Sequence, residues 1–222
     1  MPFDLHPLYL SLRVALGALL LAFPLGVGAA LWLRRRRFPF QSALESLFLL
    51  PLVLPPVVTG LILLFLLGKR GPIGKILLEM GFQILFSPLA ALLAAAIVAF
   101  PLIFQSARVA LAGVDFHLED AARGLGATPG RAFWTVTLPL AAPGLWAGAI
   151  LAFARALGEF GATVMVAGNV AGQSLTAPVA LYFASENGDY STAARYAFWL
   201  GAANFAFLLV AGALGKRRAQ RL

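Results

Sequence analysis

From Leu8 to Leu33 the chain is apolar for long enough to cross a bilayer as a helix, and the run is closed at once by Arg34, Arg35, Arg36 and Arg37. In hydrocarbon every backbone N–H and C=O must find a partner, and a helix provides these within one segment. Charge that follows a long apolar core also differs from a secretory signal, in which positive residues precede a short one. With 61% hydrophobic residues, 12% charged residues and a mean hydropathy of +0.88, the 222-residue chain is far from a soluble composition, where about a quarter of residues are charged. The sequence therefore reads as an all-α integral membrane protein, a single domain over residues 1–222.

Apolar runs near 8–33, 44–67, 87–111, 142–166 and 192–214 predict about five spans. An odd number places the termini on opposite sides. The expected cytoplasmic segments hold Arg34, Arg35, Arg36, Arg37, Arg108, Arg123, Arg131, Lys216, Arg217, Arg218 and Arg221, whereas the outward loops hold chiefly Lys69, Arg70 and Lys75. Basic residues favour the cytoplasmic face, so the N-terminus is expected outside and the C-terminus in the cytoplasm. The net charge of +8 sits at span ends, which speaks against a nucleic-acid partner. There is no cysteine, and hence no disulfide, thiolate metal site or cysteine nucleophile. His6 and His117 are expected on opposite sides of the membrane, so they share no metal, and neither a metal nor a cofactor is expected.

Individual residues refine this outline. Arg13 near the outer end of the first run is expected to snorkel to the interface. In the second run Pro51, Pro55 and Pro56 predict a kinked or locally unwound helix, and such backbone survives in a bilayer only against protein or water. Pro55, Pro56, Thr59 and Gly60 are therefore candidates for lining a pathway, with a purely structural kink as the alternative. Gly68 to Gly74 superficially resembles a phosphate loop, but its spacing is wrong and Ile76 follows Lys75 where a hydroxyl is needed, so no ATP site is expected. Residues 75–86 read as an interfacial helix. Pro101 should bend the third span, and Gly144 with Gly148 should permit close helix approach in the fourth. Residues 168–190 read as an outward loop. Arg155 and Glu159 are four residues apart and are expected to pair on one helix face, either facing the pathway or dimer axis or securing helix packing.

Between spans three and four lies a polar island, residues 115–139. Asp115 can cap a helix whose first turn carries Glu119 and Asp120, favoured there by the macrodipole. Leu118, Ala121, Ala122 and Leu125 fall at i, i+3, i+4 and i+7, a narrow apolar stripe. Gly126 ends the helix, Thr128 can cap a second, and Pro129 suits its first position. An amphipathic helix flanked by spans but outside the bilayer is suited to docking against another protein.

This island resembles the cytoplasmic coupling motif of ABC importer permeases, with Asp120, Ala121, Ala122, Gly126, Val136, Leu138 and Pro139 at the family's spacing. Asp120 stands for the usual Glu and Val136 for Ile. The likeness extends to Leu50–Gly60, Gly68–Gly74, Leu157–Thr163 and Gly168-Asn169, which are similar to the molybdate and tungstate branch, itself related to sulfate permeases. Ala171, Gln173 and Ser174 depart from that branch, where Pro, Arg and Thr are expected. The resemblance implies a multi-pass subunit of the cell inner membrane that pairs with a second copy of itself. Two ATPase subunits would dock on Leu118, Glu119, Asp120, Ala121, Ala122, Leu125 and Gly126, while an external oxyanion-binding protein delivers cargo. The chain itself would not be an enzyme. Thr59, Thr163 and Asn169 are expected as polar groups of the passage. The competing expectations are a sulfate-type permease or an ion-coupled carrier using Glu159 as its proton site.

Overall fold

Proline and glycine decide where the helices break. The computed structural model describes residues 3–34 and 39–219; the expectations for Arg35, Arg36, Arg37 and Arg221 lie outside the described residues, as do those for the side chains of Lys216, Arg217 and Arg218. Helix α1 is His6–Arg34, α2 is Gln41–Val53, α3 is Pro56–Leu67, α4 is Pro72–Glu79 and α5 is Pro88–Ala112. The coupling segment forms α6 (Phe116–Gly124) and α7 (Pro129–Ala132), which runs through a π turn, Phe133–Thr137, into α8 (Leu138–Leu157). Short α9 (Gly161–Val166) and α10 (Ala177–Glu186) precede α11 (Tyr190–Ala219). Among the described residues four continuous helices are long and apolar enough to cross a membrane, and α2 with α3 adds a fifth if the bent pair is one span.

Helix α5 is the centre. Ser87 caps it by accepting from the Ala90 N–H, and Pro88 opens its first turn. Its buried residues are mostly alanine: Ala90, Ala91, Ala94, Ala95, Ala99 and Ala107. Helices α1 and α8 lie against it at short range. A Cβ placed on Gly148 of α8 would stand 2.5 Å from the Ser106 Cβ, and one on Gly144 at the same distance from that of Ala110. The expected close approach through this glycine pair is therefore present.

Contacts at the helix ends fix which ends lie together. The Tyr196 hydroxyl donates to the Asp4 carbonyl at 2.9 Å, and the Ala177 N–H donates to Ser11 Oγ at 2.8 Å, so the starts of α1, α10 and α11 share one end. At the opposite end Arg34 of α1 meets Glu119 of α6, and Arg108 of α5 pairs with Glu45 of α2. The coupling segment thus lies opposite the N-terminus, and α11 runs towards the coupling side.

The unwinding expected in the run 44–67 is present and sharper than a kink: α2 and α3 are bent by 109° about it. Each residue before a proline is pushed into extended backbone, and the Leu54-Pro55-Pro56 sequence does this twice in succession, at Leu54 (ψ 142°) and Pro55 (ψ 132°). The fourth span does not reach 166. It ends at Leu157, because Gly158 terminates α8 and a new helix begins only at Gly161. The segment expected as an outward loop contains α10, and the helix expected over 75–86 begins earlier, at Pro72, and stops at Glu79.

Packing against Gly60 generates a prediction. A Cβ there would come within 2.8 Å of the Ala162 Cα and 2.9 Å of its carbonyl oxygen. Gly60→Val should destabilise the protein by about 1–3 kcal/mol through overpacking, read as a lower melting temperature in detergent. The same change at Gly201, which has open space beside it, should leave the melting temperature within about a degree of wild type.

Candidate docking loop and broken-helix site

The coupling segment forms as its capping residues dictate. Asp115 Oδ1 accepts from the His117 N–H at 2.9 Å, Gly126 takes a φ of +89°, and Thr128 Oγ1 accepts from the Arg131 N–H at 3.3 Å. Pro139 offers no N–H to the carbonyl of Thr135, and the preceding turn widens, so that the Leu138 N–H donates to the Phe133 carbonyl. The Val136, Leu138 and Pro139 part of the motif therefore forms the junction between a π turn and a span.

The orientation of α6 is the inverse of a core-packed amphipathic helix. Its apolar side chains point away from the protein: Leu118 is 47% exposed, Leu125 is 91% exposed, and Phe116 and Ala121 are also exposed. Ala122 is half-buried, and Asp120 is exposed with a long i, i+3 contact to Arg123. Glu119 instead turns inwards. Its Oε1 accepts from Arg34 Nη1 at 2.8 Å and from the Thr137 hydroxyl at 2.7 Å, and the Arg34 guanidinium covers the Phe116 ring at 4.5 Å. The expectation that Glu119 belongs to the outward docking face is corrected: its carboxylate is occupied within the chain. Burial alone pushes this carboxyl up, but the Thr137 and Arg34 hydrogen bonds and the Arg34 charge outweigh it and hold the group below its usual 4.5.

A second site lies between the two helix breaks. Gly161 at the start of α9 faces the α2–α3 elbow, where a Cβ on it would meet the Pro56 Cβ at 2.9 Å and the Val57 N at 3.1 Å. Gly60 lies against Ala162, so Pro55, Pro56, Thr59 and Gly60 on one side gather beside Glu159 and Thr163 on the other. Thr59 Oγ1 is buried without a hydrogen-bond partner. Glu159 is 3% exposed, pairs with Arg155, and accepts from the Ala162 N–H through Oε1 at 2.9 Å. The expected ion pair is present, but it spans the end of one helix and the start of the next, and the carboxylate caps α9. Asn169 is exposed beyond α9 and does not join this group.

Sequence reasoning missed Arg34 and Thr137 as partners of Glu119, and the capping role of Glu159. Arg34 is 85 residues from its partner, and no local pattern joins them. The Gly158 and Gly161 flanks of Glu159 did carry a signal, since glycines on either side of a carboxylate suit a helix stop and restart.

A bundle with paired helix breaks in its interior and an amphipathic segment presented at one end has the architecture of an ABC transporter permease. The structure resembles a subunit of the MetNI methionine ABC transporter in an inward-facing conformation (TM-score 0.74, 17% identity, 97% of this chain and 96% of that one). It also resembles a chain of a bacterial alginate ABC transporter in complex with alginate pentasaccharide-bound periplasmic protein (TM-score 0.77, 14% identity, 98% and 80%). At these identities the likeness is one of fold.

The chain belongs to the family of binding-protein-dependent transport system inner membrane components, whose family model matches residues 22–220. It is a multi-pass inner-membrane protein and the membrane component of a transporter. It is 41% identical over 99% of its length to the molybdenum transport system permease protein ModB of Haemophilus influenzae, covering 96% of that protein. The Escherichia coli protein of the same name is 48% identical over 84% of this chain and 82% of its own.

Two outcomes follow from the loop. Gly126→Val should strain the left-handed backbone by about 1–3 kcal/mol and abolish transport, while the protein still reaches the membrane; uptake measured against membrane abundance checks this. For Glu119 the folded-state pKa is depressed, so its stabilisation is complete above the usual 4.5 and is lost as pH falls through the folded value. The gap in melting temperature between wild type and Glu119→Gln should be constant at neutral pH and close as the pH drops below 4.5.

Proposed function

We propose that this chain is the membrane-spanning permease subunit of an ABC importer that carries molybdate into the cell, with ATP hydrolysed on a separate subunit. The observation that carries the cargo is the identity to molybdenum permeases over nearly the whole chain. The docking role rests on the outward apolar stripe of α6, which is left exposed by the described residues. Leu118, Ala121, Ala122 and Leu125 form the apolar contact with the ATPase, with Asp120 at the rim and Gly126 turning the chain. The N-terminus lies outside, and the coupling loop and C-terminus lie in the cytoplasm.

The working unit is two copies of this chain, two ATPase subunits and an external binding protein that delivers the oxyanion. Nucleotide-driven closure draws the two α6 segments together, and the rigid helices pass this motion to the gate. The gate is the facing pair of breaks, Pro55-Pro56 against Gly158 to Gly161. Discontinuous helices supply free backbone groups where a polar cargo passes. Thr59 and Thr163 lie beside these breaks, and Asn169 lies towards the outer end. Pairing of Glu159 with Arg155 leaves an anion unrepelled.

Sulfate is the second reading. Sulfate permease 2, chloroplastic, of Chlamydomonas reinhardtii is 38% identical over 88% of this chain, which spans 53% of that protein. The neutral Gln173, where the molybdate branch is expected to carry Arg, leaves the outer loop less tailored to one dianion.

ATP hydrolysis by the complex in liposomes, with binding protein loaded in turn with molybdate, tungstate or sulfate, tests both readings. Molybdate-loaded protein should give the largest stimulation. Preference for sulfate would reassign the cargo, and uptake that follows a proton gradient without ATP would overturn the importer.

A further inference from the structure

Helix α6 has nine residues, too few to be stable alone. Its apolar side faces away from the protein, so hydrophobic contact with its own chain does not hold it. Backbone links it to α5 through Gly113–Asp115 and to α7 through a turn containing Gly126. Both are short turns, the first anchored by the buried Val114. The polar tie of the helix itself to the bundle is Glu119, whose one oxygen binds Arg34 at the end of α1 and Thr137 in the π turn. The Arg34 and Glu119 side chains are each only 12% exposed, so salt screens the pair weakly. Phe116 adds a ring contact to the same guanidinium.

Resting on the permease reading above, we infer that Glu119 is a positioning residue that makes α6, α1 and the π turn one lever. A pull on α6 then reaches the bilayer through α1 as well as through α8. Helix α1 packs along the central α5 from Gly17 beside Leu92 to Gly26 beside Ile103, so it carries displacement into the helix that both breaks adjoin. The exposed Asp120–Arg123 contact at 4.0 Å does not link two elements and adds nothing to this lever.

The test compares Glu119→Gln, Arg34→Gln and the reversed pair Arg34→Glu with Glu119→Arg in the full transport complex. Three quantities are read: ATPase subunits that co-purify, ATP hydrolysed, and anion taken up per ATP. Each single change should leave the ATPase bound but lower uptake per ATP by about tenfold, an ordinary coupling factor between two sites. The reversed pair should recover most of it. Loss of the ATPase from Glu119→Gln would make Glu119 a partner contact and overturn the lever, as would unchanged uptake per ATP.

Should the reversed pair fail to fold, the cysteine-free chain allows a second route. Arg34→Cys with Glu119→Cys, bridged by a bis-methanethiosulfonate spacer, should regain coupling over its unbridged form. A bridge that lowers coupling further would mean that α1 and α6 separate during the cycle, and the lever would be wrong. A wild-type chain that binds no ATPase at all would instead refute the permease reading.

Discussion

Alanine, glycine and serine let α1, α5 and α8 approach closely, and the positions of the remaining elements depend on that packing. In a bilayer no hydrophobic force draws helices together, because lipid tails are as apolar as leucine. Close approach and dispersion must suffice. The alanines of α5 meet Ala15, Ala18 and Ala22 of α1 in one buried cluster that also holds Ala152 and Ala156 of α8. This small-residue seam lets three crossings share one axis, with Val98, Ile103 and Phe153 buried in the same cluster. Around it the elbow of α2 and α3, the start of α9 and the coupling segment are attached by specific polar contacts.

Much of this was legible in the sequence, and the parts that were not have a common physical cause. Apolar length and basic ends gave the crossings. Asp115, Gly126, Thr128 and Pro129 gave the coupling segment almost to the residue, because capping is local chemistry. The glycine pair of α8 gave its tight contact with α5. The sharp elbow at Pro55 was underestimated: each proline was recognised, but the effect of two in series on the residues before them was not carried through. Glu119 was placed on the wrong face because its partners come from α1 and the π turn, and the pairing exists only once the bundle has formed. The end of α8 at Leu157 was masked by the apolar residues of α9, which prolong the hydropathy signal across a break.

The two regions of interest invert the usual distribution of polarity in different ways. In the coupling segment the Glu119 carboxylate is turned inwards and the leucines outwards, so the helix is attached by an ion pair and exposed through its apolar side. In the broken-helix site the backbone itself is irregular in the interior, and the carboxylate of Glu159 finishes what the interrupted helix leaves open. Both arrangements spend polar interactions on holding short elements in place. Helix α9 also joins the main hydrophobic core through Ala162 and Val166.

Leu125 has wider consequences than docking. With 91% of its surface exposed, near exposed Leu118, it presents an apolar patch whenever no partner covers it. Helix α6 is not among the helices long and apolar enough to cross a membrane. A subunit synthesised in excess of its partner therefore carries a sticky surface of the kind that chaperones and proteases recognise. The relative abundance of the two proteins becomes constrained by surface chemistry, independently of any control over their synthesis.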